Sequence, residues 1–169
     1  FEEYNTNGES PEYGNVDPST LLEQLISTGA YYIYERSWRV NNELMQYTVD
    51  CSASGRHQLY VFQAADFGTP WDRFQRYAAN AHHMIALGRN YDDPNAQAIA
   101  MTLKAVFVSL VADLYGDIPY REAYRIEDDI TQPAIDPQSE VYPALIEMLL
   151  TANDLYRTAT DSNGNYTYP

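Results

Sequence analysis

Apolar positions recur along this chain with a helical period. Leu21, Leu22, Leu25, Ile26, Gly29, Tyr32 and Ile33 share one stripe. Asp17-Pro18 precedes them, an N-cap with proline at the first helical position. A second helix is expected over about Ser37 to Val49, with Trp38, Leu44, Met45 and Val49 facing the core. Thr69-Pro70 repeats the cap logic, and Trp71, Phe74, Ala78, Ala81, Ile85 and Gly88 follow at alternating steps of three and four. Asp93 then caps a helix from Pro94 to Tyr115 that is apolar on nearly every face and is expected to be buried at the centre. The short link before it makes a helical hairpin. The last helix is expected from Asp136-Pro137 or Ser139, with Pro143 in its first turn. Leu145, Ile146, Leu149, Leu150 and Leu155 form its stripe, and a turn at Asp161-Ser162-Asn163-Gly164-Asn165 ends it.

Three stretches lack this period. Residues 1–16 read as an extended leader. Residues 50–69 are irregular, with Leu59-Tyr60-Val61-Phe62 as a short strand. Residues 117–136 are a second long connection, and Gly116 before them is placed to end its helix in a left-handed conformation. The fold class is all-α, helices in pairs joined by long loops. The last helix has no partner after it, so residues 17–169 read as the front part of a longer helical domain.

Composition narrows the function. The apolar fraction of 45% supports a real core, and the formal net charge of −14 repels phosphate backbones, which argues against nucleic acid. The lone Cys51 rules out an internal disulfide. A start at Phe1 without Met suggests a processed chain. Lys104 and Asp113 interrupt the most apolar stretch, so no membrane-spanning helix is expected.

Catalytic signatures do not appear: no phosphate loop, GxSxG, HExxH or CxxC. Cys51 with His57 is a coincidental pair on this reading. His82 and His83 point about 100° apart on a helix and do not share a metal. Asp128-Asp129 read as surface charge. Asp161, Asn163 and Asn165 alternate like a calcium loop, but the glycine is misplaced and no later Glu follows. No catalytic residue, metal or cofactor is expected. Binding is the better reading, because tyrosine, present sixteen times, offers a flat face and a polar tip. Arg56, His57, Tyr60, Phe67 and Trp71 are the candidate ligand-binding residues of the irregular loop and its exit, although Trp71 also fits the core stripe.

The stretch Leu114-Tyr115-Gly116-Asp117-Ile118-Pro119-Tyr120-Arg121-Glu122-Ala123 resembles a signature of the SusD/RagB family, glycan-binding outer-membrane lipoproteins of Bacteroidota. Phe1 to Asn7 is similar to the leader these proteins carry. Trp71 to Asn80 is similar to a W-x-x-x-Y-x-x-x-x-N-type helix, and Val141 to Ile146 to an "IYPALL" helix start. The resemblance implies irregular tetratricopeptide-like helix pairs, an α–α superhelix with long loops. It implies a non-enzymatic protein, lipid-anchored at the extracellular face of the outer membrane through a cysteine not in this chain. Its partners would be an oligosaccharide and a SusC-like TonB-dependent transporter that receives it. A peptide-binding relative on the same scaffold and, behind it, a helical-repeat hydrolase are the alternatives. Tyr115, Gly116, Asp117, Pro119 and Tyr120 are expected to build a scaffold turn rather than to touch ligand.

Overall fold

The computed structural model describes residues 17–52, 55–124, 130 and 132–158. The leader, Asp128-Asp129 and the turn at 161–165 lie outside them.

Helix α1 (Pro18–Arg36) begins as the sequence suggests: the Asp17 carboxylate accepts the Ser19 N–H at 2.8 Å, with Pro18 in the first turn. Leu25, Gly29 and Tyr32 are buried, Leu21, Leu22 and Ile33 half-buried, and Ile26 exposed. No separate second helix follows. The chain runs on through a π turn (Ser37–Asn41) into the single turn α2 (Asn42–Leu44). A π turn inserts a residue into the helical register, so the buried stripe of α1 is not continued. Trp38, Met45 and Val49, expected in the core, are exposed at 55%, 63% and 68%, and Leu44 is half-buried. Nor does a strand form at 59–62. His57–Leu59 is a 3₁₀ turn, and Tyr60 closes it at φ +57°, a left-handed conformation opposite to an extended one.

Helix α3 (Ala64–Asn90) starts well before the predicted cap at Thr69-Pro70. Its N-terminus is fixed by Asp66, whose carboxylate reaches back to the Gln63 N–H at 2.7 Å. Pro70 therefore lies inside the helix, where it cannot donate to the Asp66 carbonyl and crowds it. A remote donor compensates: Arg36 donates to the Asp66 carbonyl at 3.0 Å. The Tyr115 hydroxyl adds a bond to the next carbonyl, that of Phe67.

Helix α4 (Pro94–Tyr115) is capped by Asp93, which accepts the Ala96 N–H at 3.0 Å. It is long and apolar enough to cross a membrane by composition, but it packs between α3 and α5 (Gln138–Thr158) as the central helix. Helix α1 lies across α3 and touches α4. On α5, Val141, Leu145 and Ala152 are buried, with Met148 and Leu155 against the core. Ile146, Leu149 and Leu150 were expected there too but are exposed, lying about 80° to 180° round the helix from that line. Pro143 sits in the second turn of α5, not the first.

Candidate functional site

The irregular loop folds around one carboxylate. Asp66, only 9% exposed, accepts the Gln63 N–H, an Arg56 N–H at 2.6 Å, and lies 3.2 Å from His57 Nε2. The other ring nitrogen of His57 stands 3.4 Å from the Glu43 carboxylate, so the imidazole bridges α2 and the start of α3. Burial pushes the Asp66 carboxyl upward, yet the Gln63 N–H, His57 and Arg56 outweigh it and hold it down to about 2. The folded value lies below the ordinary carboxylate range. Its stabilisation is thus fully present above about pH 4 and is lost as pH falls toward 2. Replacing Asp66 with Ala strands Arg56 and His57 and removes the back-bond of α3. A loss of about 2–3 kcal/mol is expected, with the pH 4-to-2 dependence flattened in urea melts. An unchanged acid profile would show that Asp66 is not the hub.

Of the predicted ligand residues, Arg56 and His57 turn inward to this cluster. Tyr60 is 61% exposed and donates its hydroxyl to the Leu44 carbonyl at 3.1 Å. Phe67 is exposed beside Phe62, ring centroids 5.7 Å apart. Trp71 is half-buried and meets Tyr115 edge-on, centroids 5.0 Å apart at 86°. Arg56 and His57 thus converge on Asp66, whereas Tyr60 and Phe67 face outward and Trp71 packs on the signature turn.

Sequence reading missed a groove of about 650 Å³ between α1 and α3, lined by Thr28, Tyr31, Glu35, Arg39, Thr69 and Arg73 among others. Tyr31 presents a 67% exposed ring. Arg39 pairs with Glu35 at 3.1 Å. In the floor, Tyr32 carries the Arg73 guanidinium 5.5 Å above its ring. Its buried hydroxyl has no hydrogen-bond partner among the described residues. Burial pushes that phenol up, so it stays a donor at neutral pH. A buried donor of this kind calls for a ligand or water. The signal was partly present: Tyr31 and Glu35 on α1, and Thr69, Arg73 and Tyr77 on α3, each recur every fourth residue and so share one face, while Arg39 comes from the π turn beyond α1 and reaches the groove by its pairing with Glu35. Arg36 joins the two regions, lining the groove while bonding Asp66.

A flat exposed ring, hydroxyls, guanidiniums and a carboxylate along one groove suit a hydroxyl-rich ligand. A family model described as "Starch-binding associating with outer membrane" matches residues 10–168. The chain belongs to the SusD-like family. No curated protein matches it. SusD-like membership makes this a member of a binding-protein family, tied by its description to starch and the outer membrane.

The signature turn of this SusD-like chain is a latch between α4 and α5. Gly116 ends α4 at φ +81°, ψ −113°, so its positive φ agrees with expectation, but the conformation is the mirror-extended one rather than the left-handed helical one. Ile118 and Asp136 exchange both backbone hydrogen bonds at 3.1 and 2.9 Å. Buried Asp136 accepts the N–H groups of Tyr120 and Arg121 at 3.0 and 2.8 Å. Asp117 accepts the Gln138 N–H at 2.9 Å, supplying from outside the cap that α5 needs, and the Gln138 side chain donates to the Ala112 carbonyl at 2.7 Å.

Proposed function

We propose that this SusD-like chain captures a starch-type or related oligosaccharide in the α1–α3 groove and delivers it to a SusC-like TonB-dependent transporter, from a lipid anchor on the outer face of the outer membrane. The observation that carries the reading is the groove itself. It sets an exposed Tyr31 ring beside hydroxyls, guanidiniums and the unsatisfied Tyr32 hydroxyl, in a chain of a starch-binding family. Aromatic stacking with hydrogen bonds to sugar hydroxyls needs no covalent step. Arg56 and His57 then act by holding the loop beside the groove, with Tyr60, Phe67 and Trp71 as candidate further contacts.

A transporter-facing surface is supported by exposed apolar side chains concentrated in residues 38–67, among them Trp38, Tyr47, Leu59, Phe62 and Phe67. So many uncovered rings in one part of the chain suit a protein partner.

Titration calorimetry of the intact protein against maltooligosaccharide and peptide panels tests the reading. Saturable binding of an oligosaccharide is expected, with Tyr31→Ala and Arg73→Ala each weakening it about tenfold, the worth of one lost stacking or charged contact. Binding of peptides alone would move the chain to the peptide-binding alternative. Glycan binding untouched by either substitution would move the site away from the groove.

A further inference from the structure

Lys104 is a buried cation on α4, 7% exposed. Its ammonium lies 3.1 Å from His82 Nδ1, and 4.9 and 5.6 Å from the ring centroids of Tyr124 and Tyr120. Ring faces attract a cation, but among the described residues Lys104 is in no ion pair. Burial lowers its amine to about 8, with no offsetting carboxylate among the described residues, and at that value it is mostly charged at neutral pH. Holding a charge in the interior without an opposite charge is costly, which is notable in a chain of net charge −14. The carboxylates of this corner act elsewhere: Asp136 binds the Tyr120 and Arg121 N–H groups, Glu147 is exposed, and both bear on the Tyr120 phenol.

Beside Lys104 opens a cavity of about 460 Å³ walled by α3, α4 and α5. Ile85, Met101 and Met148 make apolar walls; His82, Arg89, Lys104 and the Thr151 hydroxyl are its polar groups. Arg89, in the last turn of α3, also complements that helix end, which explains its own position but not the burial of Lys104. No lining residue is shared with the α1–α3 groove.

We propose that this cavity binds a small carboxylate ligand with an apolar-faced body, a class that includes uronate sugars and short organic acids. Lys104 and Arg89 answer the carboxylate, and the body lies on Ile85, Met101 and Met148. A carboxylate entering here meets a cation already stripped of water, where the attraction is strongest. The inference is independent of what the α1–α3 groove holds.

Calorimetric titration of the intact protein with glucuronate, glucose and butyrate at constant ionic strength is the test. A saturable signal with glucuronate and none with glucose is expected. Butyrate decides the source: binding of both acids assigns the site to organic acids generally, and binding of glucuronate alone to acidic sugars. Lys104→Met should weaken the acid at least roughly tenfold while keeping or raising the melting temperature, because it removes a buried charge. Should that variant fail to fold, Arg89→Gln, at an exposed position, carries the test with a several-fold loss. No saturable binding of either acid overturns the proposal. Equal affinity in wild type and a folded Lys104→Met overturns it too.

Discussion

Gly116→Val lowers the unfolding free energy by about 3 kcal/mol, the upper range for a residue forced into a sparsely populated backbone region. The cost comes from the backbone alone. At φ +81°, ψ −113° a side chain crowds its own peptide groups, whereas a Cβ at this point would meet no other atom within 4 Å. Gly116→Ala should therefore already cost most of what Val costs. The loss is amplified because the torsion at 116 aims the chain into the latch: turned otherwise, Ile118 cannot pair with Asp136, nor Asp117 reach the Gln138 N–H. Gly68 provides the control. It is helical and its Cβ would also meet nothing, so Gly68→Ala should gain about 0.5–1 kcal/mol. Urea denaturation measures all three. A Gly116→Val protein that melts with the parent would show that the chain leaves α4 by another path.

The caps were readable because they are local. Asp17-Pro18 and Asp93-Pro94 each place a carboxylate two or three residues from the N–H it accepts. The same logic failed at Thr69-Pro70, where the deciding contacts are remote. Pro70 is tolerated inside α3 because Arg36, 30 residues from its acceptor, serves the Asp66 carbonyl that proline leaves without a donor, while Tyr115, 48 residues away, adds a bond to the next carbonyl, that of Phe67. Nothing near Pro70 announces either donor. On α5 the difficulty is different. Leucine and isoleucine occupy both the core line and the outward line, so hydrophobicity alone could not say which of Leu145 and Ile146 is buried.

The site was legible in part for similar reasons. Arg56 and His57 stood out as polar residues in an irregular loop, the usual signature of a ligand contact, and Asp66 turned them inward instead. Two carboxylates, Glu43 and Asp66, meet through His57 across residues the sequence keeps 23 apart. The α1–α3 groove did leave a mark, the four-residue recurrence of Thr69, Arg73 and Tyr77 on α3 facing Tyr31 and Glu35 on α1, but such a line on a surface helix reads as a solvated face until its counterpart is placed opposite. Family recognition succeeded because Leu114 to Ala123 encodes a turn whose torsion, cap and pairing are fixed by individual residues.

Phe107→Ala is expected to cost about 3–5 kcal/mol, the usual toll of removing a fully buried aromatic ring, which is a large share of a domain's typical 5–15 kcal/mol. The ring is 2% exposed and packs 5.3 Å from Tyr77 of α3. A Cβ at Gly29 would lie 2.6 Å from Phe107 Cζ. Phe107 therefore holds α1, α3 and α4 at one junction, and only glycine lets α1 approach so closely. Gly29→Ala should itself cost about 1–3 kcal/mol through overpacking, and less when combined with the shorter Phe107→Leu, a coupling that a double-mutant cycle resolves. The functional consequence reaches further. Tyr32 and Tyr77 belong both to this core and to the α1–α3 groove, so loosening the junction spreads the groove. Oligosaccharide affinity should fall in Phe107→Ala under conditions where the protein is still folded, although Phe107 lines no part of the groove. A variant that loses the expected stability yet binds with parental affinity would mean that α1 and α3 hold the groove without α4.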